Sequence, residues 1–267
     1  MTAKNECEVY DISKNKLVSI PSMNENRQEN AAVSYNGVVY SVGGSELNTA
    51  ECYDPASKRW SYIAPMNYDL EDFGICTYNG LIYVLGGKFN FIVESYDPAT
   101  NKWHLCQDIP VDMTLYSNRA TVAENCIYSL TQKSNGNSLF RFDPRNGKWY
   151  NLHKMLRPSG QYELISYDRT LFAIGAKDCK RLDIRVKKWE PIPSMLSNRY
   201  GFSAVIAAKD IYVLGGRERR SPELITSVER LNIDNNEWTT VNSIQIENYS
   251  VGTAIFSGDF DFNKNIY

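Results

Sequence analysis

The sequence predicts an all-β protein, a β-propeller of six four-stranded blades in which strands from the two ends of the chain share one composite blade that need not be complete. Three observations predict this fold class. Tryptophans recur at nearly constant spacing, an acidic or amide residue precedes each at a fixed offset, and apolar strands ending in two glycines lie upstream of several of these pairs. Repeats of this length are typical of propellers and other repeat architectures.

The tryptophans set the period of the repeat. The five tryptophans are separated by 43, 46, 40 and 49 residues. Six residues before each lies an Asp or Asn that follows an aromatic or leucine residue, in the pairs Tyr53-Asp54, Tyr96-Asp97, Phe142-Asp143, Leu182-Asp183 and Leu231-Asn232. Tyr10-Asp11 is a sixth such pair, with Leu17 at the tryptophan position. These six anchor pairs predict six structural units.

Apolar strands that end in a double glycine form the second landmark. They run over Val39–Gly44, Ile82–Gly87 and Ile211–Gly216, and two decayed copies run over Ile127–Thr131 and Leu171–Ala176. Glycine lets backbones approach closely, as they must where inner strands converge on an axis. Short runs rich in Val, Ile, Tyr and Phe, bounded by Asn-Gly, Asp-Pro and Gly-Gly, indicate strands rather than helices. Each unit therefore contains four short strands.

The repeat predicts a single propeller domain over residues 1–267. We expect its units near 1–23, 24–66, 67–110, 111–155, 156–195 and 196–244, with a closing segment at 245–267. The first unit lacks its first two strands, whereas Val251 to Phe256 resembles a first strand. The two ends would together supply the composite blade, and closing the ring in this way removes exposed sheet edges.

Composition and charge exclude several classes of function. A net charge of −2 gives no general attraction to nucleic acid or to an anionic membrane. No apolar window is long enough to span a bilayer, and the first residues carry no apolar signal-peptide core. Six cysteines without a CxxC pair are typical of reduced thiols. We expect a cytoplasmic protein, with association with the cytoskeleton as an option.

The ordered triplet of double glycine, Tyr-Asp pair and tryptophan resembles the Kelch repeat family, and the resemblance covers essentially the whole chain. It implies a non-catalytic protein-interaction module, similar to the substrate-recognition domain of BTB-Kelch adaptors of cullin ubiquitin ligases. A link to a ligase would require a BTB region elsewhere in the protein. A scaffold that binds actin or other cytoskeletal partners is the alternative, and a sugar-epimerising Kelch enzyme is a less favoured one.

Catalytic and metal-binding signatures are missing from the sequence. His104 and His153 each lie just past a blade tryptophan, with no Cys, His or carboxylate at metal-ligand spacing. There is no P-loop, no Gly-x-Ser-x-Gly elbow and no HExxH motif. An exported epimerase would also carry a signal peptide. We therefore expect no enzymatic activity, no metal and no cofactor.

The family resemblance implies that a partner binds to loops after the Gly-Gly strands and to loops that enter the next blade. The longest of these loops, between Gly216 and Val228, departs most from the repeat. The predicted partner-binding residues are Asn26, Arg27, Tyr68, Asp69, Phe89, Phe91, Tyr116, Asn118, Arg119, Tyr162, Asn198, Arg199, Tyr200, Arg217 and Arg219.

An Asn-Arg pair recurs in three of these loops, at Arg27, Arg119 and Arg199. Brought near one axis, the three arginines could form an electropositive rim that grips carboxylates, with the loop tyrosines as anchors. This predicts a protein or peptide partner with an acidic segment. The alternative is that each arginine pairs with a local carboxylate such as Glu25, Glu29 or Glu124.

Overall fold

The computed structural model describes residues 7–12, 14, 16–111, 115–133, 136–155, 161–176, 178–218, 223–245 and 252–255. The described strands form five four-stranded antiparallel sheets and one two-stranded sheet. Within each four-stranded sheet the strands pair in chain order, as in a propeller blade. The predicted all-β propeller is confirmed, with five complete blades and an N-terminal hairpin among the described residues. Among these residues no helix is long and apolar enough to cross a membrane.

The strands are short, as the spacing of turn residues predicts. The N-terminal hairpin is β1 (Cys7–Asp11) and β2 (Lys16–Ile20). Blade 1 is β3 (Ala31–Tyr35), β4 (Val38–Val42), β5 (Ala50–Asp54) and β6 (Arg59–Ile63). Blade 2 is β7 (Gly74–Tyr78), β8 (Leu81–Gly87), β9 (Asn90–Asp97) and β10 (Lys102–Leu105).

The remaining three blades repeat the same order. Blade 3 is β11 (Leu115–Ala123), β12 (Cys126–Lys133), β13 (Gly136–Asp143) and β14 (Lys148–Met155). Blade 4 is β15 (Tyr162–Tyr167), β16 (Thr170–Gly175), β17 (Cys179–Asp183) and β18 (Lys188–Ile192). Blade 5 is β19 (Ser203–Ala207), β20 (Asp210–Leu214), β21 (Ser227–Asn232) and β22 (Glu237–Gln245).

The N-terminal hairpin occupies the outer part of the sixth blade. Tyr10 and Leu17 of the hairpin pack against Tyr212 and Val228 of blade 5. On its other side, the indole of Trp60 in blade 1 donates a hydrogen bond to the carbonyl that follows β2, at 2.9 Å. The hairpin therefore lies between blades 5 and 1, where the anchor pair at Tyr10 predicts a unit.

The C-terminal residues 252–255 run along β3 on the inner side of the same gap. The amide of Gly252 donates to Asn30 Oδ1 at 3.1 Å, and the Ser34 hydroxyl donates to the carbonyl of Ile255. These four residues have no ladder pairing, so the expected strand from Val251 to Phe256 is not formed over its described part. Val251, Phe256 and the rest of the closing segment lie outside the described residues.

Four of the five tryptophans bond to the preceding blade or hairpin. In blades 1 to 3 the tryptophan packs on the aromatic residue opposite it, with ring centroids 5.3 Å apart for Tyr53 and Trp60 and 5.1 Å apart for Tyr96 and Trp103. The indole Nε1 then donates to a carbonyl at the end of the previous blade, as Trp103 does to Ala64 at 2.7 Å. Trp149 and Trp238 make the equivalent bonds. Because one side chain both packs and donates, its spacing fixes the blade period.

The anchor aspartates close the turn between the third and fourth strands. The Asp97 carboxylate accepts bonds from the Ala99 amide and the Thr100 hydroxyl, both at 2.9 Å. These two bonds lower the pKa of Asp97 below its ordinary value of 3.8. Asn232 replaces the aspartate in blade 5 and accepts the same kind of amide bond, from Asp234 at 3.1 Å. An amide oxygen serves equally well because the turn requires only an acceptor.

Candidate functional site: one loop face of the propeller

Both predicted sets of loops lie at the same end of the propeller. In a four-stranded meander, the loop between the second and third strands and the connection to the next blade leave from the same end. We call this end the loop face. Its described parts are residues 21–30, 43–49, 64–73, 88–89, 106–111, 193–202, 215–218 and 223–226.

Backbone hydrogen bonds between blades hold the loop face together. The Ser45 amide donates to Gln28 at 2.8 Å, and the Gly44 amide donates to Leu70 at 2.9 Å. In the next blade, the Phe89 amide donates to Leu115 at 2.9 Å. In blades 1 and 2, the loop after the Gly-Gly strand is thus bonded on both sides, which restrains this part of the loop face.

Close approach explains the first glycine of the pair. Gly43 has a φ of +61°, and a Cβ there would lie 2.7 Å from the Leu70 carbonyl oxygen. Both the backbone angle and the contact with the neighbouring connection therefore favour glycine.

The predicted electropositive rim is wrong for Arg27. This residue is 1% exposed. Its Nε and Nη2 atoms donate to Glu51 at 3.2 and 3.1 Å, and Nη1 donates to the carbonyls of Gly43 and Thr49 at 2.9 and 2.7 Å. Nη2 also pairs with Glu25 at 3.1 Å, one of the local carboxylates of the alternative hypothesis. The guanidinium therefore makes its hydrogen bonds within blade 1 and the connection that enters it.

Arg199 has the same arrangement in blade 5. The predicted electropositive rim is therefore wrong for this residue too. It is 0% exposed, and its Nη2 donates to Glu229 at 2.6 Å. Its Nη1 donates to the carbonyls of Gly215 and Ser227 at 3.0 and 2.8 Å. A buried arginine of this kind cannot meet a ligand without unfolding the loop, so neither Arg27 nor Arg199 supports recognition of an acidic segment.

Sequence reasoning missed the buried glutamates that organise these connections. Glu51, Glu94 and Glu229 are at most 1% exposed. Each accepts two consecutive backbone amides of the connection that enters its blade, as Glu94 does from Asn67 at 3.0 Å and Tyr68 at 3.2 Å. The sequence does contain a signal for these glutamates, because each lies three residues before its anchor Asp or Asn.

The arginine–glutamate pair changes from blade to blade. In blade 2, Leu70 takes the arginine position, and Glu94 retains its amide donors. In blade 3, Leu115 and Phe140 replace both partners and pack in one apolar cluster. All three replacing side chains are 1% exposed. The same connection is therefore held by an ion pair, by amide bonds alone or by apolar packing.

Arg119 lies at the mouth of the central cavity rather than on an open rim. Its side chain is 15% exposed and pairs with Asp72 at 3.1 Å and Glu163 at 2.6 Å. Burial opposes its charge, but the two carboxylates outweigh burial and raise the pKa of Arg119. Arg119 is thus charged and already neutralised by residues other than the predicted Glu124, which pairs with Arg169.

The cavity follows the propeller axis. It has a volume of about 130 Å³ and is lined by first-strand residues of all five complete blades, together with Gly252 and Thr253. Small-molecule sites typically occupy roughly 300–1,000 Å³. The axial cavity is therefore small for a substrate pocket.

Two further residues that were predicted to contact a partner are buried in the interior. Asn118 is 0% exposed, donates to the Leu85 carbonyl at 2.5 Å and accepts from Ser129 at 2.8 Å. Tyr162 is 3% exposed, and its hydroxyl donates to Asp178 at 2.7 Å. Since both side chains are enclosed, their prediction as surface contacts is wrong.

The long loop after β20 is tied to the connection entering blade 5. Tyr200 and Arg217, both half-buried, exchange backbone hydrogen bonds at 2.9 and 3.0 Å. Arg219 lies outside the described residues.

The remaining predicted residues are exposed on the loop face or at its edge. Large aromatic side chains are exposed around blade 2: Phe89 by 67%, Phe91 by 48%, Tyr116 by 47% and Tyr68 by 43%. The polar residues Asn26, Asp69 and Asn198 are also exposed. The exposed aromatic set surrounds a single blade and the entry to the next.

Acidic residues dominate this part of the loop face. The segments 24–30, 43–49, 64–73 and 88–91 carry six carboxylates and two cations. One cation is the buried Arg27. The other, Lys88, pairs with Glu71 at 2.7 Å and lies 3.9 Å from Glu29. Partial burial, together with repulsion from Asp72 and Glu71, raises the pKa of Glu29.

Comparison with known proteins defines the class. The Kelch motif model matches residues 27–67, 71–110 and 198–245. The solved structure of YjhT has a TM-score of 0.71 over 82% of this chain and 85% of that chain, at 16% identity, which supports the fold. The matched motifs and the blade topology together define a Kelch-type propeller. The chain thus carries Kelch repeats, which confirms the resemblance that its sequence indicates.

Curated relatives match over parts of their length. Kelch-like protein 15 of Gallus gallus is 26% identical over 85 residues, which are 29% of this chain and 17% of that protein. Alpha-scruin of Limulus polyphemus is 23% identical over 124 residues, 41% of this chain and 13% of that protein. Kelch repeat protein C2 of cowpox virus is 26% identical over 107 residues, 36% of this chain and 21% of that protein. The matched segments span about a fifth or less of these relatives.

Proposed function

We propose that this Kelch propeller binds a protein partner through its loop face and carries out no catalysis. The exposed aromatic side chains around blade 2 carry the proposal. Phe89, the most exposed of them, lies on a loop whose backbone is bonded to the neighbouring connection. Aromatic residues are enriched at protein interfaces, and a rigid surface loses less conformational entropy on binding.

The chemistry at the axis favours binding over catalysis. The cavity is small for a substrate, and Arg119 is held by two carboxylates. Within the described residues, no group of three or more His, Cys, Asp or Glu side chains is arranged to hold a metal ion. The proposal therefore assigns the function to the loop face.

The finer proposal is substrate recognition for a cullin ubiquitin ligase. It rests on the resemblance to the Kelch domains of BTB-Kelch adaptors and on the similarity to Kelch-like protein 15. A BTB region of the same protein would supply the link to the ligase. We place the protein in the cytoplasm, since its six cysteines are free thiols in this structure.

Affinity capture from a cell extract tests the proposal. The chain is compared with the double variant Phe89→Ala/Tyr116→Ala and with Tyr62→Ala, which removes an aromatic side chain of similar exposure, 55%, from outer strand β6. Proteins retained by the chain and by Tyr62→Ala but lost from the double variant would support recognition by the loop face. Equal retention by all three would contradict it. Co-sedimentation with purified actin filaments tests the cytoskeletal alternative.

A further inference from the structure

The aromatic residues around blade 2 define where an apolar side chain of the partner would rest. Phe89 lies in the loop between β8 and β9, and Phe91 lies near the start of β9. Tyr116 follows Leu115, the residue whose carbonyl accepts from the Phe89 amide. Tyr68 lies on the connection that enters the same blade. Large exposed apolar side chains concentrated around one blade are typical of an interaction site.

The charges around these aromatic residues determine the chemistry of the partner. Glu46 and Asp69 are exposed on the adjoining loops. Glu71 and Glu29 are half-buried, and Glu29 also lines the axial cavity. The positive charge within reach comes from Lys88, whose side chain is 38% exposed. Since Arg27 is enclosed, this sector presents an excess of negative charge to a partner.

Among the half-buried carboxylates, Glu29 is incompletely neutralised. Lys88 lies 2.7 Å from Glu71 and 3.9 Å from Glu29. Burial opposes the charge of Glu71, but its hydrogen bonds with Lys88 and Ser45 lower its pKa. The nearby Asp72 is paired with Arg119. Repulsion from Asp72 and Glu71 adds to burial in raising the pKa of Glu29. A further cation placed beside Glu29 would relieve this repulsion.

We infer that the loop face recognises a basic segment of a protein partner, in which lysine or arginine side chains meet the carboxylates of blades 1 and 2 and an apolar side chain packs on Phe89 and Tyr116. This inference rests on the proposed function and gives the partner the opposite charge from the acidic segment that the sequence predicts. The sign reverses because Arg27 and Arg199 are buried, whereas Glu46 and Asp69 are exposed.

Two short synthetic peptides test the charge. They share the same leucine and phenylalanine positions and differ in having lysine or glutamate at the remaining positions. Fluorescence anisotropy measures the affinity of each peptide for the full chain. We expect the lysine peptide to bind at least about ten-fold more tightly at low salt, with the preference falling as ionic strength rises.

Charge reversal shows whether the preference arises on the loop face. Glu46→Lys/Asp69→Lys should abolish the preference, whereas the control Asp234→Lys/Glu237→Lys, at an exposed turn at the opposite end, should preserve it. Equal or tighter binding of the glutamate peptide, or no binding of either, would overturn the inference. If cellular partners were still lost from Phe89→Ala/Tyr116→Ala, the proposed function would stand without it. Unchanged capture by that variant would overturn both.

Discussion

Replacing Arg27 with leucine would give blade 1 the arrangement that blade 2 already has. Glu51 would lose its guanidinium partner but keep bonds from the Asn24 amide at 2.8 Å, the Asn24 side chain at 2.7 Å and the Glu25 amide at 3.2 Å. Glu94 is 0% exposed with the equivalent three donors, and Leu70 occupies the arginine position.

The structure therefore predicts unequal costs for the two partners of the ion pair. Arg27→Leu should lower the free energy of unfolding by about 1–3 kcal/mol, the value of hydrogen bonds to a charged group. Glu51→Leu would leave two backbone amides without their acceptor and would deprive the enclosed guanidinium of its buried carboxylate, which should cost about 3–5 kcal/mol. Arg27 would retain Glu25, whose side chain is 30% exposed.

Urea unfolding followed by tryptophan fluorescence measures both changes, provided that the slope with denaturant is unchanged. The matched pair Arg199→Leu and Glu229→Leu in blade 5 should show the same order. An equal loss of unfolding free energy in the arginine-to-leucine and glutamate-to-leucine variants would contradict this prediction. It would mean that the buried carboxylate needs the arginine to stay stable, and the comparison with blade 2 would be wrong.

Three further predictions follow from the loops and turns. Gly43→Ala should destabilise the protein by more than Gly147→Ala, since both have φ above +60° but only Gly43 has a backbone oxygen within 2.7 Å of the added Cβ; the difference in urea midpoint checks this. Asp97 has a lowered pKa, so the stability it contributes is present above its ordinary value of 3.8 and is lost as pH falls through the folded value; Asp97→Asn should flatten the acid limb of the stability profile, and an unchanged limb would contradict it. Binding of the lysine peptide should weaken as pH falls towards the raised pKa of Glu29, beginning above the ordinary 4.5, and Glu29→Gln should remove this early loss in an anisotropy titration.

The fold was predictable because each landmark acts locally or between adjacent blades. Trp103 packs on the residue opposite it and donates to the preceding blade, so its spacing reports the blade period directly. Gly43 is required by its own φ and by one neighbouring carbonyl. The N-terminal hairpin was predictable from the anchor pair at Tyr10, which pairs with Leu17 across β1 and β2.

The roles of the arginines were not predictable from their own loops. Arg27 and Glu51 are 24 residues apart, and only the closed blade brings them together. The Asn-Arg motif also occurs in two different structural environments. Arg119 lies within the first strand of its blade, which faces the axis, whereas Arg27 lies in the connection before the first strand of its blade. The sequence feature that could have indicated buried arginines is the glutamate three residues before the anchor Asp or Asn.

The central claim is that a partner protein covers the loop face around blade 2. Hydrogen–deuterium exchange of the chain, alone and saturated with the partner recovered by capture, tests it most directly. We predict slower exchange in residues 43–49, 64–73 and 88–91 and unchanged exchange at the turns of the opposite end, such as 232–237. Protection confined to that opposite end or to the outer strands would contradict the account.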